Sequence, residues 1–171
     1  MIEREGLITF QGNPLTLVGS ELKIGDKAPD FILLDGELKE FSLKDFTGRI
    51  KVISVTPSLD TPVCDMQARR FNQEASRLGE NIAVINVSMD LPFAISRFCT
   101  AAGIERVKAF SDHRDASFGN AYGVLIKELR LLARAVFIID KKDIVQYREI
   151  VPEITHLPDF DAALGVINRI Q

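Results

Sequence analysis

Two thiols are available to this 171-residue chain, and one of them, Cys64, closes the stretch "TPSLDTPVC" at residues 56–64. An apolar run, "IKVISV", leads into the stretch, and a helix-like segment, "DMQARRFNQEASRLG", follows it. Thr61 stands where an N-cap belongs, and Pro62 suits the first helical turn, where its missing N–H would be unpaired anyway. Cys64 then falls within that first turn. Free backbone N–H groups and the positive end of the helix dipole favour a thiolate there, the nucleophilic form of cysteine. Pro57 and Pro62 stiffen the turn. A position just past the carboxyl end of a buried strand is also where α/β folds place their sites. Position alone fits a small inert thiol at a helix start equally well.

Asp65 by itself opposes ionisation of Cys64, so a reactive thiol here calls for a nearby cation. Arg69 and Arg70 share the helix but lie more than one turn on, where facing solvent suffices to explain them. Arg134 opens the apolar run "RAVFIID", where a charge is out of pattern. On spacing alone it reads more readily as an ordinary arginine at a sheet edge. Cys99 is the second thiol. Two cysteines are too few for a disulfide-stapled secreted scaffold, which leaves two free buried thiols or a pair that cycles.

These side chains need a frame. "LITFQGNPLTLVG" alternates around a Gly-Asn-Pro break and reads as a β-hairpin. "APDFILLDGELKEFSLKDF" reads as a strand, an Asp35-Gly36 turn and a short helical turn near Ser42 to Phe46. "IKVISV" (50–55) and "IAVINV" (82–87) are continuous apolar, β-branched runs, the mark of strands buried on both faces. Between them a helix carries Val63, Met66, Phe71, Ala75 and Leu78 on one face and stops at Gly79. A short helix runs from Pro92 to Gly103, and "VKAFS" (107–111) is a third strand. The span 112–133 has no clear assignment. "RAVFIID" and "IVQYREI" flank "KKD" as a hairpin, and a last helix from Pro158 sets Phe160, Ala163, Leu164 and Ile167 on one face. The order β-α-β-α-β-β-β-α predicts one α/β domain over residues 1–171, a mixed central sheet with helices on both faces.

Composition excludes several roles. A net charge of −3 and short basic clusters at 68–70 and 113–114 give no nucleic-acid footprint. No apolar run reaches bilayer length, so no membrane association is expected, and the N-terminus lacks a secretory pattern; a cytoplasmic location is the default expectation. His113 and His156 do not gather with the cysteines at metal-ligand spacing, so no metal is expected, nor any flavin, haem or nucleotide.

"PSLDTPVC" matches the P-x-x-x-T-x-x-C motif of the peroxiredoxins, with Pro57, Thr61 and Cys64 in register. "SVTPSLDTPVCDMQARRFN", "DLPFAISRFC", "AYGV", "ARAVFIID" and the hairpin segment "ITFQGNPLTLVG" resemble the thiol peroxidase subgroup, along nearly the whole chain. The resemblance implies a thioredoxin-like fold with an N-terminal β-hairpin, and reduction of hydrogen peroxide and organic hydroperoxides. Carried over residue by residue, Cys64 resembles the peroxidatic cysteine and Thr61 the hydroxyl that bonds it and the peroxide. Pro57 shields the pocket. Arg134 matches the arginine that stabilises the thiolate and the polarised O–O bond, which displaces its sheet-edge reading. Cys99 corresponds to the subgroup's resolving cysteine in the "SRFC" helix, so an intrachain Cys64–Cys99 disulfide is implied. Thioredoxin as reductant and a homodimer are implied by the resemblance alone.

The implied chemistry suits these residue types. A thiolate attacks the terminal peroxide oxygen, the leaving oxygen gathers charge that a guanidinium and N–H donors stabilise, and the sulfenic acid condenses with a second thiol. Closing that bond needs Cα atoms within ~7 Å. A first-turn cysteine cannot meet a mid-helix one without unwinding, so both segments are expected to remodel between redox states. Arg69 occupies the position five residues after Cys64, no cysteine lies near the C-terminus, and C-x-x-C is absent. An intersubunit disulfide of the usual two-cysteine type and a thioredoxin-like role are therefore not expected. Two competing readings share the same thiol: a peroxide-responsive redox sensor that passes oxidation to a partner, and a structural module in which Cys64 is silent.

Overall fold

Two left-handed residues, Gln11 (φ 51) and Gly12 (φ 81), reverse the chain between strands β1 (Glu3–Phe10) and β2 (Asn13–Val18). A pair of positive φ values matches the twist of a tight hairpin. Asn13 and Pro14 thus begin the returning strand instead of forming the break. The computed structural model describes residues 1–171. The next segment holds only two-residue strands, β3 (Leu33–Leu34) and β4 (Glu40–Phe41), around the Asp35 turn, then a 3-10 turn at Leu43–Phe46. Asp35 Oδ1 accepts the N–H groups of Glu37 and Lys39, each at 2.9 Å, which fixes that turn locally.

From residue 50 the order follows the sequence reading: β5 (Ile50–Val55), α1 (Pro62–Ala75), β6 (Ile82–Ser88), α2 (Pro92–Ala102) and β7 (Lys108–Ser111). The span without assignment holds α3 (Ser117–Ala121) and β8 (Leu125–Ile126). The chain ends with β9 (Ala135–Ile139), β10 (Val145–Ile150) and α4 (Phe160–Ile170). Seven strands form a mixed sheet in the order β10-β9-β5-β6-β7-β3-β4, with β5-β6 and β6-β7 parallel. The hairpin and β8 make a second, three-stranded sheet.

Every residue of β5 and β6 is buried, as a strand covered on both faces requires. Ile50, Val52, Ile82, Val84, Val136 and Ile138 face α1 and α4, meeting Phe71, Ala163, Val166 and Ile167. Their neighbours Ile53, Val55, Ile85, Val87 and Phe137 face the other way, toward Phe31, Phe118, Tyr122 and the hairpin residues Ile8 and Leu17. Period-two alternation thus divides one sheet between two apolar layers.

Two details differ from the sequence reading. The inward face of α1 is Cys64, Gln67, Ala68 and Phe71, while Met66 is 48% exposed. Phe71 is inside as expected, and Ala75 and Leu78 pack partly buried against the same layer, but Gln67 takes an inward position that Met66 does not. The helix also ends at Ala75, before Gly79. In addition, β9 lies between β10 and β5, so Arg134 at its mouth is not at the sheet edge that spacing alone suggested. No helix is long and apolar enough to cross a membrane.

Candidate active site

The chain leaves β5 at Val55, crosses 56–61 and enters α1 at Pro62. Thr61 has the extended backbone of an N-cap (φ −104, ψ 146). Cys64 lies in the first turn with its side chain fully enclosed at 0% exposure. Its partner comes from the opposite end of the sequence. Arg134 is 2% exposed, and its Nη2 donates to Cys64 Sγ at 3.3 Å. Nη1 donates to Gln67 Oε1 at 2.8 Å and Nε to the Ile154 carbonyl at 2.8 Å, so the guanidinium plane is fixed on three sides.

Behind it the network continues into the sheet. Gln67 Nε2 donates to Ser54 Oγ at 2.8 Å, Asn86 Nδ2 donates to the same oxygen at 3.4 Å, and Thr56 Oγ1 donates to Asn86 Oδ1 at 3.3 Å. Ser54 and Asn86 are directly paired across β5 and β6, on the face toward α1. Buried polar groups carry a penalty unless they are hydrogen-bonded, and here each finds a partner. A satisfied network of this kind fixes one geometry.

Arg134 forms no pair with a carboxylate; its contacts are two neutral oxygens and a sulfur. A buried cation left without an anion costs several kcal/mol. Cys64 is the only group touching the guanidinium that can supply a negative charge. The acid next to it is otherwise engaged. Asp65 Oδ1 accepts Arg69 Nε at 2.8 Å on the exposed side of α1, so its charge is balanced there. Arg70 pairs with Glu74 at 3.0 Å.

Pro57, Thr61 and Arg134 line one cavity of about 320 Å³, whose other walls include Phe10, Val63, Leu131 and Ile154. The walls are mainly apolar side chains, one of them contributed by the hairpin tip. Thr61 differs from the expectation in one respect. Its hydroxyl donates to the Ser58 carbonyl at 3.0 Å, and neither caps α1 nor reaches the sulfur. The Thr61 N–H goes to the same carbonyl at 3.3 Å, so the tight 58–61 turn supplies the nearest acceptor.

Cys99 lies elsewhere. It sits in the middle of α2, half-buried, as a free thiol like Cys64. It packs at the edge of the Leu59, Ala68 and Ile95 cluster and lines a separate groove of about 270 Å³ beside Asp35, Ser96 and Lys108. Burial pushes its thiol above the ordinary value. The structure therefore gathers Cys64, Arg134, Thr61 and Pro57 and leaves Cys99 apart.

Gln67, Ser54 and Asn86 escaped the sequence reading. A signal was present: each is a lone polar residue in an otherwise inward-facing apolar pattern. Gln67 follows Cys64 by three residues, so both fall on one helical face.

The chain is similar to known proteins over most of its length. The redoxin family model matches residues 23–164. A thiol peroxidase of Bacillus subtilis is 56% identical over 154 residues, covering 90% of this chain and 92% of that protein. One from Oceanobacillus iheyensis is 52% identical over 162 residues, covering 95% and 98%. The crystal structure of a peroxiredoxin-like protein from Aquifex aeolicus superposes with a TM-score of 0.91 at 42% identity, covering 98% of this chain and 99% of that one.

Proposed function

This chain belongs to the redoxin family, among its thiol peroxidases with a thioredoxin-like fold, and from that premise we propose that it reduces hydroperoxides through Cys64. The observation that carries the reading is the buried Arg134, which lacks a carboxylate and donates to Cys64 Sγ at 3.3 Å. That geometry favours a thiolate at Cys64, because the ionised sulfur removes an unbalanced buried charge.

The thiolate attacks the terminal oxygen of a hydroperoxide. The O–O bond breaks, the departing alkoxide or hydroxide takes a proton to leave as alcohol or water, and Cys64 is left as a sulfenic acid. The guanidinium is already desolvated and fixed by Gln67 and the Ile154 carbonyl. It can therefore stabilise charge on the departing oxygen with no reorganisation of its own. Pro57 and Thr61 line the same cavity as Arg134, the group that touches the sulfur. The apolar lining gives room for the alkyl part of an organic hydroperoxide, so organic hydroperoxides are substrates together with hydrogen peroxide. Cys99 then attacks the sulfenic acid to give an intrachain disulfide. Thioredoxin as the reductant and a homodimer complete the reading and rest on the family alone; a cytosolic location rests on the N-terminal pattern and the small number of cysteines.

The test is the intact mass of the reduced protein after one equivalent of hydrogen peroxide, with no added thiol. Loss of two hydrogens without covalent dimer is expected. Gain of one oxygen would keep Cys64 as the reactive group and remove Cys99 as its resolver. An unchanged mass would overturn the proposal.

A further inference from the structure

One carboxylate ties together the two loops that lead into the cysteine-bearing helices. Asp90 lies after β6 and immediately before Leu91, the N-cap of α2. Its Oδ1 accepts the Ser58 hydroxyl at 2.8 Å; its Oδ2 accepts the Leu59 N–H at 2.8 Å and the Ser88 hydroxyl at 2.8 Å. Its own carbonyl accepts the Ser111 hydroxyl at 2.5 Å, which anchors the residue to β7. The Ser58 carbonyl in turn accepts the hydroxyl and N–H of Thr61. A continuous run of hydrogen bonds thus joins Asp90 to the first turn of α1.

Leu59, held through its N–H, sends its side chain inward at 4% exposure. There it packs with Ala68 of α1 and Ile95 of α2, with Phe98 and Cys99 at the margin of the same cluster. The pinned residue is therefore a wedge between the two helices that carry the thiols. We infer that Asp90 is a positioning residue: its carboxylate holds the 57–61 loop in shape for attack on peroxide and keeps the Leu59 wedge seated until the disulfide closes. The inference rests on the Cys64–Cys99 cycle proposed above.

In that cycle the Cys99 thiol attacks the Cys64 sulfenic acid. An S–S bond forms, the S–O bond breaks, and the hydroxyl leaves with the thiol proton as water, so no outside oxidant is needed. The wedge must move for the sulfurs to meet. Weakening the clasp therefore acts in opposite senses on the two steps: oxidation of Cys64 slows because its loop is less ordered, and closure speeds up because the wedge is freed.

Reduced wild type, Asp90→Asn and Ser58→Ala are each mixed with one equivalent of hydrogen peroxide and quenched with acid at successive times. Intact mass separates the one-oxygen adduct from the product lacking two hydrogens. In Asp90→Asn, closure is expected to be about tenfold faster, the rate equivalent of ~1.4 kcal/mol, while Cys64 oxidation slows. Ser58→Ala removes one of the three donors and moves both rates the same way by less. If Asp90→Asn does not fold, Ser58→Ala decides alone. Closure no faster than wild type in the folded variants overturns the clasp and leaves the cycle standing. A wild type that gains oxygen and never loses two hydrogens overturns the cycle and the clasp together.

Discussion

Cys64 and Cys99 stand on helices packed against one side of one sheet, yet they are held by different physics. Cys64 is fully enclosed and tied to a polar network that runs through Arg134 and Gln67 into Ser54 and Asn86. Cys99 is half-buried, makes apolar contacts, and has no hydrogen-bonded network behind it like that of Cys64. The helices differ likewise. The inward face of α1 includes Gln67, locked at both ends of its amide. Only Pro92 and Ile95 are buried in α2. Directional bonds hold one geometry, whereas thin apolar packing can be lost and regained at low cost. A group that must meet a transition state in place belongs in the first setting. A group that must travel belongs in the second.

The largest effect expected from breaking this contrast is at the sulfur. Cys64→Ser should lower kcat/KM for hydrogen peroxide by at least ~10³, since no other group supplies the nucleophile. Removing the cation is next. Arg134→Met should cost about 10²–10³ in Cys64 oxidation. Its stability should nevertheless change little, because removal of a buried charge offsets the loss of the donor to Gln67 Oε1 and the Ile154 carbonyl. A thermal midpoint that drops together with activity would mean Arg134 is mainly a structural strut. Gln67→Leu should cost about tenfold in the same rate, ~1.4 kcal/mol, by letting the guanidinium turn away from the sulfur. An unchanged rate would show that the Ile154 carbonyl alone orients Arg134.

What could be read from the chain follows the same division. β5 and β6 were legible because burial on both faces writes a continuous apolar run into them. The first turn of α1 was legible from Thr61 and Pro62. The α3 and β8 segments were not, because five residues of helix and two of strand carry no period. What holds α3 is tertiary: the buried Asp112 carboxylate accepts the N–H groups of Phe118 at 3.1 Å and Gly119 at 2.8 Å. The Cys64–Arg134 contact joins residues 70 positions apart. Local pattern alone placed Arg134 at a sheet edge; the family resemblance set it beside the thiolate, and the strand order β10-β9-β5 puts it inside. Residue types showed which groups could react; the sheet order decides which of them meet.

The smallest predicted effect tests the Cys99 side of the contrast directly. Burial raises the Cys99 thiol above its ordinary value, so the folded helix favours the protonated form more than an opened chain does. A group raised in this way contributes stability that is fully present below the ordinary thiol value of ~8.5. That contribution is lost as pH rises through the higher folded value. Wild type should therefore lose stability more steeply between the ordinary thiol value and the higher folded one than Cys99→Ser, which cannot ionise there. Every other titrating group is common to both proteins, so the difference between their thermal midpoints from pH 8 to 10 isolates the thiol. The gap should change in favour of the serine variant as pH rises, and alkylation of Cys99 should accelerate over the same range as α2 opens. Parallel curves would mean that Cys99 already titrates as an exposed thiol, and the contrast between a fixed and a travelling cysteine would lose its energetic basis.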